Sequence, residues 1–179
     1  MWVAMTKTIR IAGFGGQGVM LLGQVLAYSA TLKGLNAIWV PTYGPETRGG
    51  TANCMVTISD EPIYSPVFKD SDDLIVLNEP SYNKFKQTVK KKGYMLYNES
   101  LVHLNQDASY QTSGIKANDI AASINEPKTI NMVLLGRYLR DTNLFEKETV
   151  LDALRYYFGS KKEHLIEVNE KAIDLGLLA

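Results

Sequence analysis

The chain has one cysteine, two histidines and no surplus of charge of either sign. One thiol, Cys54, cannot close an internal disulfide, hold an iron–sulfur cubane or build a zinc knuckle. Lys plus Arg and Asp plus Glu each number 19, so the basic surface that drives general nucleic-acid binding is missing. No apolar run approaches the roughly 18 residues of a membrane span. The leader Met1-Trp2-Val3-Ala4 is too short for the apolar core of a signal peptide. Met5 is a second candidate start, and residues 1–5 are expected to form a disordered extension. His103 and His164 lie far apart with no acid spaced as a triad or metal partner, and no serine stands in a nucleophile elbow. Neither a catalytic residue nor a metal site is expected, and a soluble cytoplasmic protein is the default.

What is present is ordinary in amount and unusual in order. With 179 residues, 45% hydrophobic and 21% charged, the chain suits one well-packed domain. Thr8–Ala12, Asn36–Val40, Thr51–Ser59, Asp73–Leu77 and Tyr94–Tyr97 read as strands. Val19, Leu22, Leu26 and Ala30 form one face of a helix that Gly34 ends. Ser81–Lys91 has a helical pattern, and Lys90-Lys91-Lys92 reads as its solvated end, stopped by Gly93. Thr129–Arg140, Lys147–Phe158 and Lys161–Leu175 are helical, the last opened by a Ser160/Glu163 capping box. Strands alternating with helices, then a helical tail, predict a single three-layer α/β domain with a mostly parallel or mixed sheet. The third strand is expected to run antiparallel, since no helix separates it from the second.

Two glycine-rich turns carry the chemistry. The first, Gly13-Phe14-Gly15-Gly16-Gln17-Gly18, fits G-x-G-x-x-G between a strand and a helix. Such a turn offers backbone N–H groups and the positive end of a helix dipole to a phosphate. The acidic residue that would bind the ribose of NAD is absent: no Asp or Glu occurs from Gly18 through Pro45. A P-loop is excluded because Val19-Met20 follows Gly18. Coenzyme A, which needs no such acid, fits better. The competing reading is a tight turn that lets helix and strand pack. The second turn, Tyr43-Gly44-Pro45-Glu46-Thr47-Arg48-Gly49-Gly50, is expected to face the first across the crest of the sheet. Arg48 is its natural phosphate partner, against a surface ion pair with Glu46, Asp60 or Glu61. Tyr43 is either a stacking platform or packed on the loop glycines.

These loops, with Thr51-Ala52-Asn53-Cys54, Val56-Thr57-Ile58-Ser59, Asn78-Glu79-Pro80-Ser81 and Asn131-Met132-Val133-Leu134-Leu135-Gly136, resemble the gamma subunit of 2-oxoacid:ferredoxin oxidoreductases. The resemblance runs from about Thr8 to Gly176 and is closer to the 2-oxoglutarate and branched-chain types than to the pyruvate type, with 2-oxoglutarate preferred. It implies a pyruvate/ketoisovalerate ferredoxin oxidoreductase gamma-like domain over residues 1–179. It further implies a part in converting a 2-oxo acid, coenzyme A and oxidised ferredoxin to acyl-coenzyme A, carbon dioxide and reduced ferredoxin. Thiamine diphosphate and iron–sulfur clusters would sit on partner subunits. These are alpha and beta, with delta a further candidate, and ferredoxin would be met through the complex. By motif, Gly13, Gly15, Gly16, Gln17 and Gly18 would meet the pyrophosphate of coenzyme A. Thr47, Arg48, Gly49, Gly50 and Asn131 would complete the site. Some fused relatives carry lysines in the second loop where this chain has one arginine. Two other readings stay open: a purely structural assembly subunit, and a free-standing dinucleotide-binding oxidoreductase. An uncovered docking surface would make the isolated chain a homodimer. Cys54 is expected to be a buried apolar filler. Of the aromatics Tyr138, Tyr156, Tyr157 and Phe158, some are expected in the core, and one face could meet another subunit.

Overall fold

Alternating apolar residues put Thr6–Phe14 (β1) at the centre of a six-stranded sheet. The other strands are Asn36–Tyr43 (β2), Thr51–Ser59 (β3), Ser71–Val76 (β4), Val89–Asn98 (β5) and Gln111–Ile115 (β6). This computed structural model describes residues 5–44, 50–104, 109–159 and 162–179. The order is β2-β3-β1-β4-β5-β6; β3 runs antiparallel to both its neighbours, and every other pairing is parallel. The expected mixed sheet and its one reversed strand are therefore present. β1 and β3 stay in register from Thr6↔Ser59 to Phe14↔Thr51, so the end of β1 meets the start of β3.

Two cores follow from the two-residue period of the strands. On one face Ile9, Ile11, Cys54, Val56, Ile58, Ile75, Leu77 and Leu96 pack under helices. These are Val19–Leu32 (α1), Ala117–Ser123 (α3), Ile130–Thr142 (α4), Lys147–Phe158 (α5) and Glu163–Leu178 (α6). On the other, Ala12, Leu74, Val76 and Met95 meet Tyr82 and Phe85 of the short helix Glu79–Phe85 (α2). Arg10 projects from β1 on this second face and is 8% exposed. Its Nη2 donates to the carbonyls of Phe68 and Lys69 at 3.1 and 3.2 Å, and its guanidinium lies against the Phe85 ring. The arginine so clamps the proline-containing connection between β3 and β4 onto the sheet, a role not foreseen in the sequence.

α1, α4 and α5 match the apolar spacing, and Gly34 has the left-handed φ of 76° that follows a helix end. The Ser81–Lys91 helix does not form as expected. α2 stops at Phe85, a 3₁₀ turn covers Lys86–Thr88, and β5 begins at Val89. Pairing with β4 overrides local propensity: Ser71 opposes Val89 and Asp73 opposes Tyr94, so the lysine run bulges from a strand. Lys90 Nζ pairs with Asp72 at 2.8 Å, and a Cβ on Gly93 would meet the Lys90 carbonyl. The lysines are thus a bulge rather than a helix end. β6 and α3 were not anticipated; both are short, and their apolar positions are too few to show a period. Ser160 lies outside the described residues, and α6 runs on to Leu178. Residues 1–4 are likewise outside them, whereas Met5 is held through its N–H to Asp60 Oδ1 at 2.9 Å.

Candidate functional site

The glycines of the first loop divide the work unequally. Gln17 N–H donates to the Phe14 carbonyl at 3.2 Å, closing the turn, and α1 starts at Val19. A Cβ on Gly13 would lie 2.8 Å from Gln17 Oε1 and 2.9 Å from Val19 Cγ2, so this position needs glycine for packing. Gly18 has φ 78°, and a Cβ there would fall on the Asn131 carboxamide. Gly15 and Gly16 are the exposed pair. Gly16, at φ 94°, has nothing among the described residues within 4 Å of an added Cβ, leaving its backbone open to close approach.

The two loops do meet, although β1 and β2 are not neighbours. β3 stands between β1 and β2, and the contact runs from Gly15 N–H to the Gly50 carbonyl at 3.0 Å. Gly44 N–H closes the base of the second loop on the Thr51 carbonyl at 2.8 Å. Thr47, Arg48 and Gly49 lie outside the described residues. Tyr43 is 68% exposed.

A row of carboxamides lines the crest. Gln17 Oε1 accepts from Phe14 N–H at 2.7 Å and from Asn78 Nδ2 at 2.8 Å. Asn78 lies two residues after β4 and caps α2, its Oδ1 accepting from Ser81 N–H at 3.0 Å. Asn98, fully buried at the end of β5, donates to the Leu77 carbonyl and to Asn118 Oδ1. Asn131, 3% exposed at the start of α4, donates to the Gly18 carbonyl at 3.1 Å and accepts from Met132 N–H. Gln17 and Asn131 were foreseen as ligand contacts; both are engaged in bracing the loop. Asn78, Asn98 and Asn118 were not read as site residues. Asn78 and Asn98 each directly follow an apolar run, and Asn78 also falls in a motif of the family resemblance; Asn118 carries no such signal.

The electrostatics favour an anion. α1 has no acidic residue in its first turn and, among the described residues, no side chain capping its N-terminus. Among the described residues, no acceptor reaches the amides of Gly16, Gly18 or Val19, and such amides carry the positive end of the helix dipole. Elsewhere the residues that look chemical are structural. Cys54 is buried beneath α1, Sγ donating to the Val19 carbonyl at 3.6 Å, and burial pushes its thiol up to about 12. His103 and His164 are exposed. Tyr138 is fully buried and bonds Asp73, while Tyr156 and Tyr157 are exposed on α5, with Tyr28 stacked on Tyr156 at 4.1 Å. Among the described residues, no group of three or more His, Cys, Asp or Glu is placed to hold a metal, and no helix is long and apolar enough to cross a membrane.

Residues 8–179 match the family described as pyruvate ferredoxin/flavodoxin oxidoreductase. The chain is 36% identical over 170 residues to ketoisovalerate oxidoreductase subunit VorA of Methanothermobacter marburgensis, covering 94% of this chain and 35% of that one. It is also 36% identical over 156 residues to 2-oxoglutarate synthase subunit KorC of Methanocaldococcus jannaschii, covering 85% and 83%. It thus spans about a third of the VorA relative and most of KorC. A keto/oxoacid ferredoxin oxidoreductase gamma subunit from Geobacter sulfurreducens superposes with a TM-score of 0.81 at 30% identity, covering 97% and 99%. A 2-oxoglutarate:ferredoxin oxidoreductase from Magnetococcus marinus, with 2-oxoglutarate, coenzyme A and succinyl-CoA bound, gives a TM-score of 0.86 at 26% identity, covering 97% of this chain and 30% of that one.

Proposed function

The chain belongs to the pyruvate ferredoxin/flavodoxin oxidoreductase family as a gamma subunit of the 2-oxoacid:ferredoxin type, and on that premise we propose that its crest binds the phosphates of coenzyme A. The observation that carries this reading is the set of amides at Gly16, Gly18 and Val19, uncommitted among the described residues, at a helix start with no acid in its first turn. The bound coenzyme A of the Magnetococcus relative supports it. Gly13 and Gly18 shape the loop, Gly15 and Gly50 join it to the second turn, and Gly16 leaves room for a pyrophosphate. Arg48, with Thr47 and Gly49 beside it, supplies the side-chain charge, and the Gln17 NH2 group and Asn131 complete the polar wall.

The reaction is the oxidative decarboxylation of a 2-oxo acid, 2-oxoglutarate before a branched-chain acid, with acyl transfer to the coenzyme A thiol and reduction of ferredoxin. Thiamine diphosphate and the iron–sulfur clusters belong to alpha, beta and delta partner subunits of a cytoplasmic complex. This chain contributes orientation: fixing the nucleotide end of coenzyme A lowers the entropic cost of presenting its thiol to the acyl group. It takes no proton and forms no covalent bond. In the assembled complex, Arg48→Ala and Gly16→Val should each weaken calorimetric coenzyme A binding by about tenfold or more, the scale of one charge-assisted contact. Unchanged affinity in both variants would leave the loops a purely structural part of the assembly, the reading that the Gly15–Gly50 hydrogen bond favours.

A further inference from the structure

A carboxamide presents a donor at one end and an acceptor at the other, and its neighbours decide which end faces a ligand. At Gln17 the decision is made twice over. Phe14 N–H and Asn78 Nδ2 both donate to Oε1, at 2.7 and 2.8 Å. Turning the Gln17 carboxamide over would set donor against donor at both contacts. Asn78 is equally constrained, because Ser81 N–H occupies its Oδ1 as the cap of α2. Its NH2 group is therefore the end left for Gln17. The chain of bonds begins at α2 on the second face of the sheet and ends in the glycine loop. Among the described residues, the Gln17 NH2 group is without an acceptor, next in sequence to the exposed Gly16.

We propose that Asn78 is a positioning residue for the phosphate-bearing substrate, acting through Gln17, whose Nε2 donor it turns towards the anion. The proposal rests on the coenzyme A reading of the crest and adds a residue from a different element to it. It also accounts for an asparagine at this cap. Asp and Ser cap helices as well, but a carboxylate offers Gln17 Oε1 no hydrogen, and a serine is too short to reach it.

The test uses the assembled oxidoreductase carrying Asn78→Ser, Asn78→Asp, Gln17→Ala or the Asn78→Ser/Gln17→Ala pair. KM for coenzyme A, kcat and Tm are measured for each. Asn78→Ser should raise KM for coenzyme A by about five- to tenfold, the scale of one relayed hydrogen bond, with kcat and Tm held. Asn78→Asp, which also caps α2, should raise it further by turning acceptor oxygens on Gln17 and bringing charge near the anion. The double variant should be no worse than Gln17→Ala alone, since a residue acting only through Gln17 has nothing left to orient. Effects that multiply in the double variant would overturn the proposal, as would an Asn78→Ser loss shared by kcat and Tm. If Arg48→Ala and Gly16→Val raise KM but Asn78→Ser and Gln17→Ala do not, the relay is wrong and the coenzyme A site stands. If none of the four single substitutions at positions 16, 17, 48 and 78 moves KM, the site itself is wrong.

Discussion

Cys54 sits at 0% exposure under the first turn of α1, where an added Cβ on Gly23 would meet its sulfur at 2.5 Å. Burial raises its thiol to about 12, whereas an unfolded thiol ionises near about 8.5. The folded state therefore keeps a proton that the unfolded state gives up. The stability this contributes is whole below the lower value and is lost as pH rises through the interval between the two. Tyr138, raised first by burial and then by Asp73, acts in the same direction. Thiol reagents should label Cys54 only after denaturant is added, and denaturant midpoints should fall as pH climbs from about 9 towards 12. Fast labelling of the native chain would show that α1 opens. At this scale the sequence was informative about residue type and silent about direction. Gln17 and Asn131 were identified as polar groups of the crest, but nothing in the string shows that their carboxamides turn onto the loop itself.

The helices of the C-terminal third show what can and cannot be read from spacing. α4 and α5 follow from apolar residues three and four apart, and their predicted and observed bounds nearly coincide. How closely α4 and α6 approach depends on two glycines. A Cβ on Gly136 would fall on the Ile173 carbonyl, and one on Gly176 would fall on that of Val133. Backbone cannot yield as a side-chain tip does, so Gly136→Ala should cost about 1–3 kcal/mol, the range for overpacking. Chemical denaturation of the isolated chain would measure it; a variant as stable as the parent would mean that the helices slide apart freely. The misread segment at 81–91 has the opposite lesson. Its local pattern is helical from Ser81 to Phe85, after which hydrogen bonding to β4 outweighs the propensity of the following lysines. Short elements such as β6 and α3 have too few residues for a period to be visible.

For the whole molecule, the exposed residues are as informative as the core. Tyr64, Val67, Tyr156, Tyr157 and Leu178 are large apolar side chains at least half exposed. Apolar surface of this kind, on a chain whose relatives include domains of longer proteins, is suited to burial against other subunits. Without those partners the isolated chain is expected to pair with itself as a dimer. Sedimentation velocity at micromolar concentration checks this, and a strict monomer would speak against an apolar docking face. The same scale decides the site. β3 inserts between β1 and β2, so Gly50 rather than any residue of β2 touches Gly15, and the proposed anion site draws on β1, β3, β4, α1, α2 and α4.

Sequence alone determined the α/β class, the reversed third strand, the place of both glycine loops and the family resemblance. All of these rest on patterns within a few tens of residues, where backbone geometry and side-chain periodicity act directly. Tertiary structure alone decided the strand order, the conversion of the lysine run into a bulge, the Arg10 clamp and the Asn78–Gln17–Phe14 relay. Each depends on groups distant along the chain being brought within hydrogen-bonding range, and satisfying those buried donors and acceptors is a condition that only the assembled fold imposes.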